Sequence, residues 1–230
     1  LTSVGLLALV LGAVFLVVYT ATDVSAKRQA QQHLQVGSNV FSNLLEARAR
    51  ELTSATEILV ADFGFRQAVA TGDLPTIRSA LLNQVRRIGA DQAMLFDAQG
   101  VMRIASVKDG IAAPVDVQAL QRFSDQAMIA IIDDRPYLLV EAVVRAPVTL
   151  GQVAMAFSLD EALAHELQKL TGLEIRFVSS HDDAVMSSYS TMTSSVLEMD
   201  AESGGQMQES EGYLTTVIAL LDQADYRVSA

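Results

Sequence analysis

One apolar stripe constrains this chain more than any other feature. From Thr22 to Thr71 there is no proline, and Gly37 and Gly64 are the only glycines. Within that span Leu34, Phe41, Leu45, Leu52, Leu59 and Phe63 recur at steps of seven or four, as one face of a helix requires. The four-residue step from Phe41 to Leu45 reads as a stutter in a heptad pattern. Glu46 and Arg50 add a favourable i,i+4 pair, and Thr71-Gly72 supplies a stop. A helix of about fifty residues is too long for one small domain to bury. It must leave the domain as a stalk, pair with a partner, or both. The expected partner is a second copy, in a parallel homodimer seamed by Leu34, Phe41, Leu45, Leu52 and Leu59.

The stretch before the stripe is apolar. Leu1 to Tyr19 carries no charge, and as a helix it would run roughly 28 Å, close to a hydrocarbon core. A retained transmembrane helix over residues 1–20 is favoured over a secretory signal, because the apolar run is long and no small-residue cleavage site follows promptly. The rest of the chain is acidic, with 27 Asp and Glu against 16 Lys and Arg and a net charge of −11. Such a surface repels polyanions, so no nucleic-acid partner is expected. With no cysteine, thiolate metal sites, iron–sulfur clusters and cysteine nucleophiles are excluded.

After residue 72 the period changes. Asp73 caps a helix whose face is Ile77, Leu81, Val85 and Ile88. Strands are expected at Gln92–Phe96 and Val101–Val107 around the turn Asp97–Gly100, and at Met128–Ile132 and Tyr137–Val144 around the turn Asp133–Pro136. A further strand fits Gln152–Phe157, and a short helix fits Val117–Phe123. Ser158-Leu159-Asp160-Glu161 reads as a capping box that opens a helix carrying Leu163, Leu167 and Leu170. A second unit follows. It has strands at Glu174–Val178, Ala184–Tyr189, Gly212–Leu221 and Tyr226–Ala230, a helix at Thr191–Met199 and a loop at Glu202–Glu211. Hairpins without parallel crossovers make the class α+β with antiparallel sheets.

Several motifs resemble a known family. They are Leu59–Arg66 (LVADFGFR), Thr71-Gly72-Asp73, Leu82-Asn83, Arg87-Ile88-Gly89-Ala90-Asp91, Asp97–Gly100 with the strand after it, and the segment 143–178. Together they look like the periplasmic double-Cache sensor of bacterial transmembrane signalling proteins, over most of residues 40–180. The resemblance implies a transmembrane helix (1–20), a stalk helix (21–72), a membrane-distal PAS-like Cache module (73–172) and an incomplete membrane-proximal one (173–230). It also implies an inner-membrane protein with residues after about 20 in the periplasm. The variant it resembles stands ahead of GGDEF and EAL domains, which make and degrade cyclic di-GMP. Gly204-Gly205 is followed by Gln-Met-Gln, so no such catalytic motif lies in this chain. The expected function is a sensor that binds a small molecule and regulates a cytoplasmic cyclic di-GMP output. The alternatives are the sensor of a chemoreceptor or histidine kinase, or a membrane-anchored dimerisation module without small ligand.

No catalytic residue, metal ligand or cofactor is assigned. Glu161 and His165 stand i,i+4 on one helix but lack a third ligand, so they read as a solvated face. The ligand candidates come from strand alternation. Tyr137, Leu139, Glu141, Val143 and Arg145 share one face of their strand, and Arg103 lies on the neighbouring hairpin. Arg103 and Arg145 could hold a carboxylate, with Tyr137 adding a hydroxyl, so a small anionic ligand is expected. Arg86, Arg87 and Asp91 are expected to tie helix to sheet.

Overall fold

The computed structural model describes residues 2–107, 110–111, 116–182, 184–191, 207–210, 213–223 and 226–230, with backbone alone for 2–27, 107, 110–111, 207–210 and 213–214. Four helices and thirteen strands follow in chain order among these residues. They are α1 (Thr2–Ala61), α2 (Phe63–Thr71), α3 (Leu74–Ile88), β1 (Gln92–Asp97), β2 (Met102–Val107), β3 (Gly110–Ile111), β4 (Val117–Arg122), β5 (Ala127–Ile132), β6 (Arg135–Arg145), β7 (Thr149–Ser158) and α4 (Glu161–Thr171). Then come β8 (Arg176–His181), β9 (Ala184–Ser190), β10 (Met207–Ser210), β11 (Tyr213–Thr216), β12 (Ala219–Gln223) and β13 (Tyr226–Ser229). A seven-stranded sheet runs β3-β2-β1-β7-β6-β5-β4, and a four-stranded sheet runs β12-β13-β8-β9, with every pairing antiparallel. The fold is α+β.

The apolar stripe of α1 is intramolecular core, which corrects the expected dimer seam. Phe41, Leu45, Ala49, Leu52, Thr56 and Leu59 are buried within one chain. Their steps are four, four, three, four and three, the period of a straight α-helix lying on a sheet and not of a supercoiled pair. Leu34 is only half-buried. The stutter has a packing cause. Phe41 meets Phe177 of β8 with ring centroids 6.1 Å apart, whereas Leu45 lines a cleft with Leu138 and Phe157 of the larger sheet. The helix passes from one sheet to the other at that step. Gly37 is buried there because a Cβ would collide with the Leu173 side chain.

The helix expected to run to Thr71 breaks at Asp62. This residue is extended (φ −62°, ψ 130°), and its carboxylate accepts the Phe65 N–H at 2.8 Å, opening α2 as a separate helix. The re-aimed axis leaves Phe63 exposed and buries Phe65 instead. The expected membrane helix falls where side chains lie outside the described residues. Among the described residues no helix is long and apolar enough to cross a membrane.

Residues 117–122 form strand β4, where a helix over Val117–Phe123 was expected. Val117 and Leu120 look like an i,i+3 apolar pair, but both are exposed. The segment is pinned by backbone pairing to β5 and by Gln118, which exchanges hydrogen bonds of 2.7 and 2.9 Å with Asp134. The loop between β5 and β6 is shorter than expected: Asp133 and Asp134 alone make it, both left-handed (φ 47° and 66°), as a type I′ hairpin requires. Asp160, not Ser158, caps α4, accepting the Leu163 N–H at 3.0 Å. Ser158 ends β7, and its N–H and hydroxyl both donate to Asp91, which thereby ties the end of α3 to the sheet. Arg86 and Arg87 are exposed in the last turn of α3, where they face the negative end of its dipole, and among the described residues they make no hydrogen bond or ion pair to the sheet.

In the second unit the expected strand Gly212–Leu221 is divided into β11 and β12, and β10 lies where a loop was expected. The expected helix Thr191–Met199 lies outside the described residues apart from Thr191. The edge strands β4 and β12 are joined by glutamine side chains. The Leu120 N–H donates to Gln223 Oε1 at 3.3 Å, and the Asp222 N–H donates to Gln121 Oε1 at 2.9 Å. Each edge therefore satisfies one otherwise open donor of the other.

Candidate functional site

Both faces of the seven-stranded sheet are buried. One face packs against α1 and α3, with Ala93, Leu95, Leu138, Val140, Val153 and Met155 in its core. The other gathers Met94, Ala130, Ile132, Tyr137, Leu139, Ala154 and Ala156, with Phe96, Met102, Ala105 and Met128 at its margin. Because β7 lies between β1 and β6, Ala154 and Ala156 form a small-residue floor. Gln92 and Met94 flank this floor on the β1 side, and Leu139 and Glu141 flank it on the β6 side.

Three polar groups interrupt this apolar face. Tyr137 is buried, and its hydroxyl accepts a hydrogen bond from Gln92 Nε2 at 3.4 Å. Burial pushes the Tyr137 hydroxyl pKa up, and the nearby Asp91 charge adds to the shift. Gln92 is itself only 8% exposed, and its Oε1 has no partner among the described residues. Glu141 is half-buried and accepts from Gln152 Nε2. Desolvation raises the Glu141 pKa above 4.5, against the lowering effects of the Gln152 bond and the Arg122 charge. A buried acceptor without a donor is costly, which sets Gln92 Oε1 apart from its apolar neighbours.

The four candidate residues are thus divided. Tyr137 and Glu141 share the face, and Gln92, Met94, Ala154 and Gln152 join them from strands distant in sequence. Arg103 and Arg145 do not converge on them. Arg103 donates to Asp97 Oδ2 at 2.7 Å and stays exposed. Asp97 also accepts from the Val101 and Gln99 N–H groups, and the first of these is the main reason its pKa is lowered. Arg145 is exposed at the end of β6, with its carbonyl facing Arg66 Nη1 at 3.5 Å. Among the described residues no hydrogen bond or ion pair links either arginine to Tyr137 or Glu141, so the expected arginine clamp is not assembled.

A concavity of about 240 Å³ lies between α1, the end of α3 and α4, lined in part by Arg48, Asp91, Asp160 and Glu166. Its polar groups serve the fold. Asp91 holds Ser158, Asp160 caps α4, and Arg48 pairs with Glu51 at 2.8 Å. His165 Nδ1 lies 2.9 Å from the Glu161 carbonyl on its own helix.

A family profile described as the double sensory domain of two-component sensor kinases matches residues 27–228. The chain belongs to this family of sensory domains. Among solved structures it is similar to the periplasmic domain of Vibrio cholerae LuxQ, with TM-score 0.52, 10% identity, and coverage of 87% of this chain and 96% of that one. It is also similar to the ligand-binding domain of the Campylobacter jejuni chemoreceptor Tlp3 in complex with L-valine, with TM-score 0.50, 11% identity, and coverage of 91% and 93%. At such identities the likeness is one of fold. A search of curated proteins found no match.

Proposed function

We propose that this chain is the extracytoplasmic sensory region of a membrane-anchored signalling protein, and that it binds a small molecule on the sheet face turned away from α1. The observation that carries the reading is the buried Gln92 amide, whose oxygen has no donor among the described residues while its nitrogen is bonded to Tyr137. The floor between them and Glu141 is made of the short side chains of Ala154 and Ala156, both fully buried. A thermal-shift screen of small amines, alcohols and carboxylates tests this. Stabilisation by a hit should be lost in Gln92→Leu and reduced in Tyr137→Phe. Stabilisation that survives both substitutions unchanged would place the ligand elsewhere.

The output we propose is cytoplasmic. The sequence resemblance points to cyclic di-GMP synthesis or breakdown, whereas the family description favours a two-component kinase. Cyclic di-GMP and autophosphorylation measured in cells expressing the full-length protein separate the two. Both readings place residues 1–20 in the inner membrane. Phe41, Leu45, Leu52 and Leu59 are committed to the chain's own core, so the homodimer we propose would use other residues of α1 or other surfaces.

A further inference from the structure

We propose that the concavity between α1, the end of α3 and α4 is a ligand site in its own right, separate from the sheet face opposite α1, and that it takes a small primary amine with a compact apolar body. The space is about 240 Å³, room for roughly eight waters at about 30 Å³ each. Its floor is apolar. Leu45 of α1, Leu138 of β6 and Phe157 of β7 line it, and all three side chains are buried. The wall at the end of α3 is held open by Gly89. That residue is left-handed (φ 70°), and no atom beyond its chain neighbours lies within 4 Å of where a Cβ would stand. An apolar floor under a rim of a few polar groups is the usual form of a small-molecule site.

The rim sets the sign of the ligand. Asp91, Asp160 and Glu166 stand on it, with Arg48 as the one cation among the lining residues. The fold uses these acids without exhausting them. The Ser158 hydroxyl donates to Asp91 Oδ2 at 2.8 Å and also lies 2.9 Å from Asp160 Oδ2, so one proton serves two carboxylates no more than about 6 Å apart. Two like charges that close favour a cation beside them. Asp91 takes both Ser158 bonds on Oδ2, which leaves its Oδ1 with no donor among the described residues. Glu166 is exposed at the mouth and likewise has none among them. Arg48 is held by Glu51 at 2.8 Å. A carboxylate entering this space would meet three carboxylates and one guanidinium already paired. An ammonium meets open acceptors, and its apolar body lies on Leu45, Leu138 and Phe157.

Calorimetric titration of the protein with cyclohexylamine and cyclohexanecarboxylate tests the proposal, since the two probes carry one ring and opposite charges. The amine should bind at least about tenfold more tightly, the ratio one charge-assisted hydrogen bond supplies. Ala162 and Glu166 are both exposed on α4, so changes there should leave the melting temperature near wild type. Glu166→Gln should weaken the amine about twofold to fivefold, as losing an exposed ion pair does. Ala162→Trp, which fills the space, should abolish amine binding. Gln92→Leu should leave it unchanged, which separates this site from the sheet face. Equal or tighter binding of the carboxylate, no saturable binding of the amine, or amine binding that survives both α4 substitutions unchanged would overturn the proposal. Loss of amine binding in Gln92→Leu but not in Ala162→Trp would overturn it in favour of the sheet face.

Discussion

Replacing Leu52 by Ala separates an intramolecular core from a dimer seam. Leu52 is 1% exposed within a single chain and sits among the α1 residues packed against the larger sheet. Truncation should cost roughly 2–5 kcal/mol, because the methyl groups lose their neighbours and the fixed sheet cannot fully collapse. For a chain of this size each kcal/mol lowers Tm by about 2–4 °C, so a cost of about 3 kcal/mol lowers it by roughly 6–12 °C. Ile58 lies on the same helix but is 63% exposed. Ile58→Ala should stay within about 0.5 kcal/mol of wild type. The assay is thermal unfolding followed by circular dichroism, at two protein concentrations, with mass from light scattering. A concentration-independent fall for Leu52→Ala beside an unchanged Ile58→Ala fits a core role. If the two variants melt alike, or if Leu52→Ala halves the mass with little loss of Tm, the stripe is a seam and the packing described is wrong.

Other substitutions probe the frame around the site. Gly151→Ala drives a Cβ into the Phe96 carbonyl across the β1–β7 pairing, so stability should fall by about 1–3 kcal/mol in chemical denaturation. Glu141 has a folded pKa above its unfolded value, so the folded state binds the extra proton and stability declines as pH rises through that interval. Glu141→Gln should flatten this decline, and a steeper slope in urea melts would contradict it. Asp97 has the opposite sign. Its lowered folded pKa contributes stability above the unfolded pKa that is lost as pH falls, so Asp97→Asn should weaken the β1–β2 hairpin most at neutral pH. Gln223→Ala should deprotect the Leu120 amide to hydrogen exchange, and Gln121→Ala the Asp222 amide, each without the other.

How far the sequence could be read follows from what local pattern encodes. The α1 stripe was legible because a helix repeats its face in sequence. What covered the face was not, since a partner chain and the chain's own sheet present the same apolar surface to it. Asp62 was visible as a cap-type residue within LVADFG, but the uninterrupted apolar pattern masked the break. Segment 117–123 is too short for periodicity to separate helix from strand, and the Gln118–Asp134 pairing that decides it is long-range. In the site, alternation put Tyr137 and Glu141 on one face of β6. Gln92, Met94 and the alanine floor were missed because only the sheet order β1-β7-β6 brings them there. The small–small alternation of Ala154 and Ala156 was the one local signal available. Arg103 misled because its partner Asp97 stands six residues away across a turn.

The central claim is that a small molecule is held on the sheet face opposite α1, and methyl-labelled methionine resonances test it most directly. Met94, Met102 and Met128 belong to that face, whereas Met155 is buried on the face that meets α1. On titration with a compound that stabilises the protein in the thermal-shift screen, the methyl signals of Met94, Met102 and Met128 should move together and saturate, with Met155 nearly still. Movement of Met155 with the other three unchanged, or no movement of any of them at a concentration that gives full thermal stabilisation, would contradict the account.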